Sequence, residues 1–129
     1  MFTQVRPTVR HVVPTELGNR SLVKVVYVVL EPQYQSSLSA AARTINEENS
    51  QIAVELSGYL IEELRSEDNY EAFKKDVSEA NIFIGSLIFI DELADKVEAA
   101  VKPVREQLGA AVVFPSMPQV MRLNKMGKF

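Results

Sequence analysis

Residues 22–30 have the sequence LVKVVYVVL, and this stretch gives the strongest indication of the fold. It is a nearly continuous run of apolar, mostly β-branched residues that is interrupted only by Lys24. Such a run is typical of a strand that is covered on both faces, as the strands of a parallel sheet are. Pro32 ends the strand, and apolar residues then recur at helical spacing within 35–49, at Leu38, Ala41, Ala42 and Ile45. The stretch therefore predicts the strand–helix opening of a βαβ unit.

Two further strand–helix pairs are expected downstream. IAVEL (52–56) predicts a second strand near the sheet edge, followed by a turn at Gly58 and a short helical piece over 59–65. Asp68 and Glu71 have the spacing of a capping box, and a helix should run from there to about Ala80. NIFIGSLIFI (81–90) is the most apolar run and predicts the central strand, and Gly85 within it indicates a strand end or a close backbone approach.

The last third of the chain repeats the pattern. Asp91 is expected to cap a helix that Pro103 kinks or divides, because proline lacks the N–H group and its ring disturbs the preceding turn. AAVVF (110–114) predicts a fourth buried strand. Ser116 and Gln119 form a second capping-box pattern and predict a short final helix.

Four strands alternating with helices predict an α/β protein, a three-layer α/β/α domain with a flavodoxin-like (Rossmann-like) parallel sheet of strand order 2-1-3-4. We assign residues 1–21 to an N-terminal arm and 22–129 to a single α/β domain. The flavodoxin-like fold continues to a fifth strand, so the domain is expected to be truncated after the fourth helix, a fragment of a much larger subunit. The fourth strand would then be an open sheet edge, and self-association is possible there.

Composition removes several classes of chemistry. The 129 residues contain no cysteine, which excludes disulfides, thiolate nucleophiles and Cys-ligated metals. The one histidine, His11, argues against a His–His zinc site and a Ser-His-Asp triad. Basic residues are concentrated at the two ends and the body is acidic, so a nucleic-acid partner is not expected. The N-terminus has neither a signal-peptide nor a transit-peptide pattern, and we expect a cytoplasmic protein.

A ligand crevice is expected where the strand order reverses, beyond the carboxyl ends of the first and third predicted strands. Glu31 and Asp91 could form a carboxylate pair for acid–base work or for a hard metal ion, although capping of turns and helices explains them more simply. We therefore predict no metal site and no catalytic residue. The candidate crevice residues are Glu31, Gln33, Tyr34, Ser86, Phe89, Asp91 and Ser116.

Phosphate-binding loops are missing. The five glycines form neither a G-x-x-x-x-G-K-[ST] loop nor a G-x-G-x-x-G fingerprint. A nucleotide cofactor is therefore not expected in this chain. A free-standing flavodoxin-like domain that binds a small ligand, and a structural module that pairs two subunits, remain as alternatives.

Four segments carry a family resemblance. KVVYVVLEPQYQSSLSAA (24–41), AVELSGYLIEELR (53–65), ANIFIGSLIFI (80–90) and VVFPSMPQVMRLNKMG (112–127) resemble the amino-terminal region of the large H subunits of magnesium chelatases. The similarity covers essentially the whole chain. It is closer to the subunits of oxygenic phototrophs than to the related cobaltochelatase large subunits, and a cyanobacterial source is expected.

The resemblance implies a subunit about ten times this length that binds protoporphyrin IX and hosts Mg²⁺ insertion, an ATP-dependent ligase reaction of chlorophyll biosynthesis that serves photosynthesis. It implies three partners besides the rest of the H subunit: two AAA+ chelatase subunits, which use the ATP, and a porphyrin-carrier accessory protein. The family's metal-insertion residues lie beyond position 129. The fragment is therefore expected to be inactive alone and to act as a docking or cap module; the full-length protein could lie peripherally on membranes.

Overall fold

The structure, a computed structural model, describes residues 11–125. The first ten residues of the predicted arm and the last four residues of the chain lie outside this range. In the described part, five strands form one sheet in the order β1-β3-β2-β4-β5. The strands are β1 His11–Val12, β2 Ser21–Val29, β3 Ile52–Leu60, β4 Ile82–Gly85 and β5 Ala110–Val113.

Strands β2 to β5 are parallel to their neighbours, and β1 pairs with β3 antiparallel. Because β2 to β5 are the four predicted strands, the predicted order 2-1-3-4 and the α/β class are confirmed. The added strand β1 places Val12 opposite Leu56, so the end of the predicted arm forms a short edge of the sheet.

The helices lie on both faces of the sheet. Helix α1 packs on one face, and helices α2, α3 and α4 pack on the other together with a 3-10 helix that follows β3. A second 3-10 helix continues α3, and it contains Pro103, so the predicted division of this helix is confirmed. The bounds are α1 Pro32–Glu48, α2 Glu67–Ser78, α3 Asp91–Val101, α4 Pro118–Met121, and the 3-10 helices Ile61–Arg65 and Lys102–Gln107.

The predicted turn at Gly58 is wrong. Gly58 lies inside β3, opposite Tyr27 of β2, and the buried Tyr27 ring lies directly over it. A β-carbon at position 58 would overlap that ring, so glycine is required here by the close approach of a side chain and not by a turn.

Both predicted capping boxes are also wrong. Helix α2 begins after Ser66, whose Oγ accepts a hydrogen bond from the backbone N–H of Asn69 at 3.3 Å. Helix α4 begins after Met117, and no side chain caps it. Asp91 is likewise the first residue of α3 and not its cap, which is Ile90.

The residues before β2 and after β5 are attached to the domain. Arg20 donates hydrogen bonds to the carbonyl oxygens of Glu16 and Asn46, at 2.6 and 2.7 Å, and so fastens the segment before β2 to helix α1. At the other edge, Lys125 exchanges two backbone hydrogen bonds with Ala111, both 2.8 Å long. The Asn124 side chain bonds both backbone groups of Val113. The fourth predicted strand is therefore not the open edge that was expected.

The longest helices of the described residues are all too short or too polar to cross a membrane.

Candidate functional site

A cleft of about 180 Å³ lies at the point where the strand order reverses. Strand β2 ends at Val29, and the chain then turns through Glu31 and Pro32 into α1. Strand β4 ends beside it at Gly85. The cleft lies between these strand ends and the first turns of α1, as expected for an open parallel sheet. It is lined by Val29, Tyr34, Ser37, Leu38, Ile84, Ser86 and Phe114.

Two of the seven predicted residues line this cleft. Tyr34 stands on the first turn of α1 and is 39% exposed. Ser86 follows β4 directly, and its backbone N–H donates to the Val28 carbonyl at 3.1 Å, which continues the β2–β4 ladder for one more residue. The sequence thus placed the two strand ends correctly on either side of one cleft.

The predicted carboxylates have local partners. Glu31 Oε1 accepts a hydrogen bond from Gln33 Nε2 at 3.2 Å, within the turn that enters α1. Asp91 Oδ1 accepts from Gln119 Nε2 at 3.0 Å, and the same amide donates to Asp95 at 2.9 Å. These bonds tie α3 to α4. Neither carboxylate lines the cleft.

Ser116 holds two loops together. Its Oγ accepts a hydrogen bond from the Ile88 N–H at 3.0 Å and donates to the Phe114 carbonyl at 3.0 Å. Both capacities of the hydroxyl are thereby used to join the loop after β4 to the loop after β5. Ser116 is therefore a positioning residue for these loops, and it does not line the cleft.

The loop after β4 begins at Ser86 and contains a left-handed backbone conformation. The strand predicted within 81–90 ends at Gly85, one of the two roles expected for this glycine. Leu87 then takes a φ of 58°, a left-handed conformation that bulky residues rarely adopt. The Leu87 N–H donates to the Pro115 carbonyl at 3.1 Å, which holds this conformation. The next turn leaves Phe89 54% exposed, outside the cleft.

Sequence reasoning missed the residues that make the cleft apolar. Phe114 was assigned to a buried strand, but β5 ends at Val113 and the Phe114 side chain is 52% exposed. Ile84 was correctly assigned to the same strand as Phe83, but the prediction did not say that its side chain lies on the opposite face, toward the cleft. The alternation of side chains along a strand carried this signal, since Ala110, Val112 and Phe114 share one face.

Within the described part of the chain, the lining of the cleft is mostly apolar and carries no charged side chain. The lining offers the hydroxyls of Tyr34, Ser37 and Ser86 and otherwise only aliphatic or aromatic groups. Within residues 11–125, no three His, Asp or Glu side chains are grouped closely enough to hold a metal ion.

Shifted pKa values occur at side chains that do not line the cleft. A hydrogen bond from Arg65 and then its positive charge lower the pKa of Glu92, and burial raises the pKa of the Tyr70 phenol. Arg65 Nη1 lies 2.9 Å from Glu92 Oε2, on the rim between the first 3-10 helix and α3. The Glu92 shift therefore reflects an exposed ion pair, and the Tyr70 shift reflects partial burial of its ring.

Comparison with known proteins gives two findings. Residues 24–129 match the family described as "Domain of unknown function (DUF3479)". The whole chain is 56% identical, over 135 aligned positions, to the magnesium-chelatase subunit ChlH, chloroplastic, of Oryza sativa subsp. indica and of subsp. japonica. The chain spans about a tenth of the length of these relatives. Because the family match covers most of the sequence, this chain belongs to the DUF3479 family, and rice ChlH subunits contain a closely similar segment.

Proposed function

We propose that this chain is the amino-terminal domain of the porphyrin-binding H subunit of a magnesium chelatase, which inserts Mg²⁺ into protoporphyrin IX in chlorophyll biosynthesis. The observation that carries the proposal is the 56% identity to ChlH subunits along the entire chain. An identity of this size over the whole chain implies the same fold and supports a corresponding position in the larger subunit.

Within the subunit the domain acts as a docking or cap module. Three features support this role: the cleft at the strand ends is small, its lining is apolar, and the described residues lack a metal-binding group. Pockets that enclose drug-sized ligands measure roughly 300–1,000 Å³. A cleft of about 180 Å³ does not enclose a macrocycle as large as a porphyrin, although it accepts the edge of a side chain or helix.

The chemistry is supplied outside this domain. Magnesium insertion needs a base for the two pyrrole protons and ligands that strip water from a tightly hydrated cation. Glu31 and Asp91 are engaged with neighbouring amides and do not converge. We propose that Mg²⁺ and protoporphyrin IX are bound by the rest of the H subunit, that two AAA+ partners hydrolyse ATP, and that a porphyrin-carrier protein assists. A cytoplasmic protein of cyanobacterial type completes the proposal.

The alternative is a small-ligand-binding domain of flavodoxin type, which the position of the cleft favours. A ligand of this kind would be an apolar molecule with few heavy atoms. Absorption spectra and mass spectrometry of the purified protein under native conditions distinguish the two functions: a co-purifying small molecule supports the alternative, and its absence supports docking.

Two measurements test the proposed role. In a complete H subunit that carries this domain, deletion of the domain should lower chelatase turnover while porphyrin binding, followed by fluorescence quenching, is retained. The chain alone should show no saturable quenching of a soluble porphyrin. Tight binding by the chain alone that is lost on substitution of Tyr34 or Phe89 would show a porphyrin site here and overturn the docking role.

A further inference from the structure

Two of the five strands of the described sheet, β4 and β5, are well covered on one face only. Phe83 of β4 and Ala111 of β5 are fully buried under α3 and α4, but the side chains that alternate with them point to the face of α1. Helix α1 lies mainly over β3 and β2, and of the side chains of β4 and β5 on this face only Ile84 packs against the buried cluster beneath α1. The uncovered side chains are half-buried or exposed, and they are Ile82, Ile84, Ala110, Val112 and Phe114.

The flank of α1 forms a wall beside this bare strip. Tyr34, Ser37 and Leu38 of α1 line one cleft with Ile84 and Phe114. We call the strip and this wall together the trough. None of its eight side chains is charged, although charged residues make up 24% of the chain. An uncharged, mostly aliphatic surface of this shape differs from the solvated face of an ordinary surface strand.

We propose that the trough binds one amphipathic helix, supplied by the same H-subunit polypeptide from outside the segment described here. This inference rests on the proposed function and names the surface through which the domain docks. The occupant has an apolar stripe without charges facing β4 and β5, and small residues where it passes Ser37.

The geometry of a parallel sheet requires such a layer. Parallel strands are buried on both faces, and crossover helices normally supply both layers. Neighbouring strands lie about 4.8 Å apart and a helix is about 10 Å wide, so one helix covers β4 and β5 beside α1.

The length of the relatives indicates where the helix comes from. The chain matches about a tenth of a ChlH subunit, so nine-tenths of that polypeptide lies outside the match. A segment of the same chain is present at an effective concentration of about millimolar, whereas a separate partner must be recruited from solution.

A second copy of the domain fits the trough less well. The helix that flanks the trough is α1, and its exposed surface carries Arg43 and Glu47. Placing these charges against Ile84 and Val112 would cost several kcal/mol in desolvation. The trough therefore favours a helix with an uncharged face over the α1 helix of a second copy.

Two matched serines provide the test. Ser37 lies in the trough and Ser78 lies on α2, on the opposite face; both are exposed, and each hydroxyl donates to a backbone carbonyl of its own helix. In the complete H subunit, Ser37→Cys and Ser78→Cys are compared by the rate of N-ethylmaleimide alkylation, read by peptide mass spectrometry. We expect Ser37→Cys to react at least about tenfold more slowly than Ser78→Cys, because the covering helix must open before the thiol is accessible. Equal rates would overturn the proposal.

A charge in the trough should release this protection. Phe114→Glu in the Ser37→Cys subunit should restore rapid alkylation. Val13→Glu is the control, because Val13 is 54% exposed, close to the 52% of Phe114, and lies outside the trough. Protection that survives Phe114→Glu would overturn the proposal that the trough is the binding surface. Protection that weakens when the subunit is diluted would overturn a helix from the same chain as the occupant and would indicate a second copy. If Ser37→Cys is unprotected while deletion of the domain still lowers turnover, the docking role stands and this surface is the wrong one.

Discussion

The two faces of the sheet differ in how deeply they are packed. On the face of α2, α3 and α4, twenty buried residues form one cluster, centred on Phe73 and Phe83. On the face of α1, six buried residues form the cluster, and α1 itself buries the polar side chains of Gln35 and Ser39 with Ala42. The amide nitrogen of Gln35 has no hydrogen-bond partner among the described residues. The first face therefore supplies most of the buried core, and the face of α1 contributes much less.

The largest effect is expected from Phe73→Ala. Phe73 is fully buried and meets Tyr59 edge to face, with ring centroids 5.4 Å apart. Removing a buried phenylalanine destabilises a domain by about 3–5 kcal/mol. Leu38→Ala, at a half-buried site on the α1 face, should cost clearly less. Urea unfolding of both variants measures the difference, and equal losses would contradict the comparison of the two faces.

Gly58→Ala probes the closest approach on the α1 face. The new methyl group would overlap the Tyr27 ring, and overpacking of this kind costs about 1–3 kcal/mol. Tyr27→Val removes the ring and leaves a cavity of its own, yet it should make the Gly58→Ala change much milder. A double-mutant cycle by thermal unfolding gives the coupling. Additive effects would show that the backbone shifts and the ring does not decide the residue at position 58.

Asn124→Ala should open the β5 edge. The Asn124 side chain accepts from the Val113 N–H at 2.7 Å and donates to the Val113 carbonyl at 3.1 Å, so its loss leaves two backbone groups unpaired. We expect a loss of about 1–3 kcal/mol and concentration-dependent self-association through the exposed edge. Sedimentation velocity at several concentrations measures the association. Asn124→Asp keeps the acceptor but places a carboxylate oxygen against the Val113 carbonyl, so it should not restore wild-type stability. A monomeric Asn124→Ala protein would show that Lys125 closes the edge alone.

How far the sequence predicts this molecule follows from the range of each signal. The strand order was predictable because buried strands that alternate with amphipathic helices can be connected in only a few ways. Residues 22–30, an apolar and mostly β-branched run, are the clearest of these strands. The role of Gly58 was not, because the ring that excludes a side chain there comes from a neighbouring strand. The cap of α2 was misplaced by two residues because Ser66, Asp68 and Asn69 all have capping side chains, and only packing selects one.

The rule for open parallel sheets predicts where a cleft lies in this fold, but not which side chains line it. Tyr34 and Ser86 were located by the rule for open parallel sheets. Asp91 and Ser116 were proposed as ligand contacts because they follow strands, yet each bonds to a neighbouring loop or helix, a tertiary choice that spacing does not encode. Phe114 could have been recognised, since it continues the alternation of Ala110 and Val112 by one residue onto the uncovered face.

The smallest effect is expected at the rim of the well-packed face, where Glu92 pairs with Arg65. Arg65 lowers the pKa of Glu92 in the folded protein, first through the hydrogen bond and then through its charge. A lowered folded-state pKa means that the pair stabilises the fold above the unfolded-state pKa, about 4.3 for glutamate, and that this stabilisation is lost as the pH falls through the folded-state value. Glu92→Gln should therefore be less stable than wild type at neutral pH. This difference in the free energy of unfolding should shrink as the pH is lowered to 3, with most of the change below about pH 4.3. Because both side chains are exposed, the effect should be small and should shrink further in 1 M salt.

Urea unfolding across this pH range measures the effect of Glu92→Gln, with Glu48→Gln at the exposed end of α1 as the control. If the Glu48 variant shows the same pH profile as the Glu92 variant, the profile reflects net charge and not this ion pair, and the rim adds nothing to the packing that Phe73 and its neighbours provide.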